Sequence, residues 1–354
     1  DWLLDGSSAS HDIEVGFRYH EDEEDRLQRS DKYTQIDQTL ILDSIGVTGG
    51  NKNNRVVQAE ALAIYIKDDI AFGDFIVTPG VRFEDIKLER RDWSTLPRNT
   101  TPSLKQNSVT AVLPSIGVLY NVNDNLSLLA GAYNGFGTPT TTSGVDEEQA
   151  LNVELGGRYQ QADLMIELIA FTSDYENLVG ECTASSSTSD CDIGDQFNGG
   201  QATVRGLEFQ LTNSFQLTDS TTMPVSIAYT YTDAEFDSTF DGEFFGDVSK
   251  GDPIPYIPKT QVALALGLEN GPYRVNANLN YVDAVCVKAS CVDFEKTDDS
   301  TVLDLVGNYQ VNDNLGVYLR LENITDEADI IARQPKGARP NKARSATLGM
   351  RLVF

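Results

Sequence analysis

The chain has 354 residues, with 54 acidic against 27 basic side chains, a net charge of −27 and a sequence pI near 4.3. That balance argues against nucleic acid as a partner, because phosphate binding needs clustered lysine and arginine. With 40% hydrophobic and 23% charged residues the composition is that of an ordered protein, and no apolar run reaches the ~18 residues of a transmembrane helix. A mean hydropathy of −0.29 still leaves room for a β-barrel, whose strands alternate and so average out like those of a soluble protein. The chain begins Asp1-Trp2 without Met, basic n-region or apolar h-region, so any signal peptide is expected to lie outside it.

Period-two alternation dominates from the start. Ile13, Val15, Phe17 and Tyr19 interleave with Glu14, Gly16, Arg18 and His20. Leu151 to Tyr159, Val225 to Tyr231, Val262 to Leu268, Tyr273 to Tyr281 and Leu315 to Leu321 repeat the pattern. About fourteen such segments are predicted, most near the length a tilted strand needs to cross a bilayer, and no helical stripe competes with them.

The connections alternate as well. Short polar turns are predicted near Ala71–Asp74, Asn121–Asn125, Gln160–Asp163, Gln216–Ser220, Asn270–Pro272 and Val311–Asn314. Long loops are predicted at Glu21–Asn54, Arg91–Gln106, Gly137–Glu148, Asn177–Gly200, Asp237–Pro258, Cys286–Asp299 and Asp326–Asn341. An outer-membrane barrel has this asymmetry, with tight periplasmic turns and long external loops. The last strand agrees: Leu348, Met350, Leu352 and Phe354 share one face, and the chain stops on the aromatic. Tyr19, Phe72, Phe136, Tyr159, Tyr281 and Tyr309 fall near strand ends, as interfacial girdles would. The fold class expected is therefore all-β, an antiparallel transmembrane β-barrel in the bacterial outer membrane, with Phe354 at the periplasmic rim.

The stretches Gly16–Arg26, Thr78–Glu84, Glu147–Gly156, Cys182–Ser185, Gly194–Gly200, Tyr229–Phe236 and Arg333–Pro340 carry a resemblance. Together they resemble the barrel of a TonB-dependent outer-membrane receptor, in particular the ferric dicitrate receptor group. The resemblance implies a barrel of about twenty-two strands with an N-terminal plug and a TonB-contacting box. Plug, box and first strands have no counterpart here, so residues 1–354 are expected to form the C-terminal portion of such a barrel. It also implies energy-coupled import of a scarce solute, most readily an iron chelate such as ferric citrate. TonB, the chelate, and outer-membrane lipid with lipopolysaccharide would be the partners.

The cysteines sit in long loops, and Cys182–Cys191 and Cys286–Cys291 read as two local disulfides on the oxidising side of the membrane. Zinc is a poor alternative, because only His11 and His20 could support it. The acidic run Glu21–Asp25 and the aspartates Asp190, Asp192 and Asp195 offer oxygen ligands to Ca²⁺, but a solvated acidic surface is the stronger reading. For an anionic chelate the candidates are vestibule cations: Arg18 and His20 on the first strand, Arg90, Arg91 and Arg98 near the third, Arg333 and Arg339 in the last loop. Between Ala332 and Arg344 that loop carries Arg333, Lys336, Arg339, Lys342 and Arg344 with no acid among them. Arg158, Arg274 and Arg320 are expected in the polar lumen.

No enzyme is predicted. H-E-x-x-H, P-loop and G-x-S-x-G motifs are all absent, and no cofactor is implied. Competing readings are an importer of oligosaccharides, which would favour tryptophan over arginine, and a self-contained fatty-acid-type diffusion channel. A soluble β-rich carbohydrate-binding or hydrolytic protein is a third.

Overall fold

The computed structural model describes residues 2–6, 8–46, 53–94, 96–139, 141–142, 144–181, 196–198, 200–242, 245–333 and 337–353. One antiparallel meander of fifteen strands dominates it. In chain order it opens with β1 (Trp2–Asp5) and β2 (Ser10–Gln28). A small hairpin, β3 (Lys32–Ile36) and β4 (Thr39–Ser44), then precedes β5 (Asn53–Phe72), β6 (Phe75–Asp92), β7 (Ser103–Asn121) and β8 (Leu126–Gly137). After β9 (Glu148–Gln161) and β10 (Leu164–Glu176) comes a second hairpin, β11 (Val179–Glu181) with β12 (Gln196–Asn198). β13 (Ala202–Thr218) and β14 (Thr221–Phe236) are followed by the hairpin β15 (Phe240–Gly242) and β16 (Gly246–Val248). The meander resumes with β17 (Thr260–Asn270) and β18 (Tyr273–Val282), passes a 3₁₀ turn at Asp293–Glu295, and continues with β19 (Ser300–Asn312) and β20 (Leu315–Glu322). A last hairpin, β21 (Ile330–Ala332) with β22 (Arg339–Pro340), leads to β23 (Ser345–Leu352). Against about fourteen expected strands the additional one is β1, which pairs with the start of β2.

Every strand of the meander pairs with its sequence neighbours, so the connections sort by end. Residues 6–9, 73–74, 122–125, 162–163, 219–220, 271–272 and 313–314 turn at one end. Residues 29–52, 93–102, 138–147, 177–201, 237–259, 283–299 and 323–344 connect at the other. The predicted segregation of long and short loops is borne out. Val353 belongs to the short-turn end, donating to the Asn314 carbonyl at 2.9 Å. Phe354 itself lies outside the described residues, as do Cys182 and Cys191. The turn 122–125 is built as the Asn content demands: the Asn123 side chain accepts from the N–H groups of Asn125 and Leu126, at 2.9 and 3.0 Å.

Register fixes which residues share a face, because side chains alternate with period two. Val15, Phe17 and Tyr19 oppose Ile66, Ile64 and Leu62, and Ile64, Ile66 and Phe17 are exposed apolar residues. That apolar face continues through Val81 and Phe83, Val112 and Ile116, Leu155, Leu266 and Leu268, to Leu348 at 80% exposure. Burying such a belt needs lipid, not water. All six predicted girdle aromatics sit on this face, and Phe72, Phe75 and Tyr120 stack at its short-turn end, with centroids 5.7 and 4.4 Å apart. No helix among the described residues is long and apolar enough to cross a membrane.

Two corrections concern the first long loop. β2 and β5 extend to Gln28 and from Asn53, so the predicted loop Glu21–Asn54 shrinks to residues 29–52. The acidic run therefore lies in a strand, where alternation divides it between faces. Glu21, Glu23 and Asp25 share the outer face with Tyr19, Gln58 and Arg98, while Asp22 and Glu24 face inward beside His20 and Arg55.

Candidate functional site

The inner face mixes charged and polar side chains with small and aliphatic ones, and its most charged part is the wall of β2, β5 and β6. Those strands have 19, 20 and 18 residues, well beyond the ~9–11 that cross a bilayer. The surplus stands at the long-loop end, beyond the apolar belt that ends at Tyr19. Inner positions align in rungs of three. Arg18, Ala63 and Glu84 form one, and His20, Ala61 and Ile86 the next. Asp22, Ala59 and Leu88 follow, then Glu24, Val57 and Arg90, and finally Arg26, Arg55 and Asp92. The three alanines leave a trough along β5 between the longer side chains of β2 and β6. From the Arg18 rung to the Arg26 rung it runs about 27 Å, at 3.4 Å per residue.

The head of the trough holds three guanidiniums and two carboxylates in two successive rungs. Arg26 and Arg55 are direct cross-strand partners, an arrangement that costs stability unless something offsets it. Glu24 reaches both only loosely, at 3.9 Å from Arg26 and 3.8 Å from Arg55. Asp92 is committed to Arg90 at 2.8 Å. The Arg55 side chain is 11% exposed, and among the described residues its Nε–H is buried with no hydrogen-bond partner. Burial, then the Arg90 charge beside it, hold the Arg55 pKa below the usual arginine value. One rung further out, Asn53 donates to Gln28 at 2.7 Å and closes the trough with amides.

Below the trough several side chains of the wall are paired. Tyr65 lies flat over Gly16, where a Cβ would meet the ring at 2.0 Å, so a side chain there would have to displace it. Its hydroxyl donates to Glu14 at 2.6 Å, Arg82 sits 5.7 Å from the ring, and Lys67 bridges Glu14 and Asp69 at 3.1 and 3.6 Å.

The cations predicted from sequence do not form one cluster. Arg18, His20 and Arg90 share the trough. Arg91 does not: as the next residue along β6 it faces outward, bonded to Glu89 and Gln58, and the expectation of a vestibule position for it is corrected. Arg98 goes with it, held by Asp25 and Asn54 at 2.7 Å each. Arg333 and Arg339 lie at the other edge of the sheet, in the β20–β23 connection. There Arg333 donates to the Lys296 carbonyl and covers Phe294 at 5.2 Å, while Arg339 is exposed on β22. The local positive charge expected of that loop is reduced, because Glu322 takes Lys342 at 2.6 Å and Asp326 takes Arg344 at 3.0 Å. Sequence reasoning missed Arg26 and Arg55. Extending the β2 alternation six residues past His20 would have found the first.

The opposite rim is made by loops. Ala202, Phe236, Phe245, Val248 and Ala289 form a small core with Phe240, Leu178 and Ile254 against it. Phe236 is fully buried, its ring edge-on to Phe240 and Phe245 at 5.5 and 5.1 Å. Cys286 and Cys291 are disulfide-bonded beside it, as predicted, with Cα atoms 5.0 Å apart, and Tyr256 donates to the Cys286 carbonyl. Asn323, 1% exposed, ties down the β20–β23 connection: its amide donates to the carbonyls of Glu327 and Lys342 and accepts from the Glu327 N–H. Arg158 joins β9 to Glu167 of β10 on the inner face, and Arg274 and Arg320 share that face.

Comparison with known proteins adds the following. The family described as TonB dependent receptor-like, beta-barrel matches residues 2–324. The metal-pseudopaline receptor CntO of Pseudomonas aeruginosa is 25% identical over 294 residues, covering 78% of this chain and 38% of that protein. Among solved structures, the unliganded ferric citrate transporter FecA superposes with a TM-score of 0.76 at 20% identity, over 98% of this chain and 52% of its own. The siderophore receptor PiuA from Acinetobacter baumannii gives 0.77 at 18% identity, over 99% and 54%. The copper transporter OprC gives 0.63 at 13% identity. This chain thus spans about half the length of the solved receptors it matches.

Proposed function

The chain belongs to the TonB-dependent receptor β-barrel family of the bacterial outer membrane, and from that premise we propose that it is part of the barrel of an importer of metal chelates. The 15-stranded wall would be the C-terminal portion of a longer receptor whose plug and TonB contact lie elsewhere. TonB, acting on that plug, would release solute inward. Lipid and lipopolysaccharide would cover the outer face. The role is transport, not catalysis.

One observation carries the reading. All seven long connections stand at the end of a wall whose inner face carries the guanidiniums of Arg18 and Arg90, with the imidazole of His20 between them, from the rim down into the lumen. An acidic protein has to offset its own repulsion of an anionic solute locally, and inward guanidiniums do so while gripping carboxylates in pairs. The relatives include receptors for a metal-pseudopaline complex and for ferric citrate. An anionic iron chelate of the citrate kind is therefore the first choice, with Arg333 and Arg339 as contributors from the far rim.

An oligosaccharide substrate fits less well. Trp93 is occupied by Arg98, 5.0 Å from its ring, and Trp2 sits on β1. A fatty-acid-type channel would need a continuous apolar groove, whereas the inner face here interrupts its aliphatic side chains with charges and amides. The test is uptake of radioactive iron, supplied as citrate, hydroxamate or catecholate complexes. Cells would lack their own receptors and carry the full-length protein, with and without TonB. Accumulation of at least one chelate only with TonB present is expected; maltodextrin uptake with no chelate uptake would move the reading to sugars.

A further inference from the structure

We propose that Arg26, Arg55 and Arg90, at the head of the β2–β5–β6 trough, form a binding site for a multiply charged oxyanion, a carboxylate or phosphate group. The inference rests on the importer reading for its orientation toward solute, and on its own geometry for its chemistry. Three guanidiniums occupy two adjacent inner rungs, and two of them are direct cross-strand partners. Like charges placed opposite one another repel, whereas at Glu14 and Lys67, lower down, opposite charges face each other across the strands. The available carboxylates, Asp92 opposite Arg55 on β6 and Glu24 on β2, are two against three guanidiniums. Asp92 is spent on Arg90, and Glu24 stands 3.8–3.9 Å from the other two, beyond hydrogen-bonding reach.

The donors are also arranged for an acceptor that is not among the described residues. The Arg55 Nε–H is buried and unpartnered, although a desolvated donor left unmet is costly. Guanidinium presents its N–H groups in a planar fork, so a carboxylate or phosphate meeting Arg55 could take its two outer N–H groups at once, while the Nε–H stays out of reach beneath. Val57, Ala59 and Ala61 keep the β5 side of the trough short, so the remainder of a larger solute could lie along it toward His20, as far as the buried Ala63. Arg91, one residue from Arg90 and on the opposite face, is already bonded to Glu89 and Gln58. It serves as an internal control for charge alone.

The experiment is calorimetric titration of full-length receptor in detergent with metal-free citrate, and separately with inorganic phosphate, at low salt. Wild type is compared with Arg26→Gln, Arg55→Gln and Arg91→Gln. The expected result is that at least one anion binds wild type, more weakly as salt rises, and that Arg26→Gln and Arg55→Gln each weaken it at least tenfold while Arg91→Gln does not. Which anion binds identifies the source of the charge. Binding unchanged in Arg26→Gln and Arg55→Gln, an equal loss in Arg91→Gln, or no binding of either anion to wild type would overturn the site. Should Arg55→Gln fail to fold, Arg26→Gln decides, since its side chain is 46% exposed and carries little packing. Chelate uptake by cells expressing wild type separates the two claims. Uptake without anion binding removes the site alone; anion binding without any chelate uptake removes the importer reading and leaves the site.

Discussion

At the two sides of the sheet the long-loop rim is built by different means. Around β2, β5 and β6 the strands themselves continue past the apolar belt, and the backbone ladder holds each inward side chain at a fixed height. Around β14 to β23 the strands are shorter, and β18, β20 and β23 have 10, 8 and 8 residues. There the rim is connection, stiffened by a small aromatic core, a disulfide and the buried Asn323. The difference teaches where each kind of stability resides. A strand-built rim loses little when one side chain goes, because its hydrogen bonds are backbone. A loop-built rim depends on a few side chains, each with no substitute.

Single substitutions should expose that contrast. Phe236→Ala is expected to have the largest effect, about 3–5 kcal/mol on the loop core, because the ring is fully buried between Phe240 and Phe245. Limited proteolysis of the folded receptor should then cut within residues 237–259 while β2 to β7 stay protected. Asn323→Ala comes next. It orphans the Glu327 N–H and two carbonyls at the base of the last loop, at an expected cost of about 2–4 kcal/mol from unmet buried groups. Hydrogen exchange across 323–344 would reveal it, and native protection there would argue that the loop is held by something else. Replacing both Cys286 and Cys291 by serine removes a closure over a sequence separation of 5. The chain-entropy relation gives about 2 kcal/mol for so short a loop, read as earlier proteolysis of 283–299 only. Smallest should be Gly16→Val in the strand-built wall. The added carbons push against the Tyr65 ring, which can swing into the lumen, so about 1 kcal/mol is expected from the low end of overpacking costs. Urea unfolding in detergent measures it, and a loss as large as that of Phe236→Ala would break the comparison.

What could be read beforehand follows the same division. Alternation of Ile13 to Tyr19 with Glu14 to His20 was legible because one face met lipid and the other water. Beyond Tyr19 both faces meet water, the hydrophobic signal vanishes, and Glu21 to Gln28 read as loop although the strand continues. That is why Arg26 and Arg55 went unseen and why Arg91 was grouped with Arg90. The local pairing of Cys286 with Cys291 was legible from spacing. The core around Phe236 was not, since contacts among three connections leave no period in any one of them.

The central claim is that one face of this wall meets lipid, the other meets water, and every long connection lies outside the cell. Labelling intact cells with a membrane-impermeant maleimide tests it directly, using Lys250→Cys in the 237–259 connection and Asp124→Cys in the 122–125 turn, both exposed positions. The account predicts that Lys250→Cys reacts on intact cells and Asp124→Cys only after the outer membrane is permeabilised. Reaction of Asp124→Cys on intact cells, or a silent Lys250→Cys in folded receptor, would contradict it.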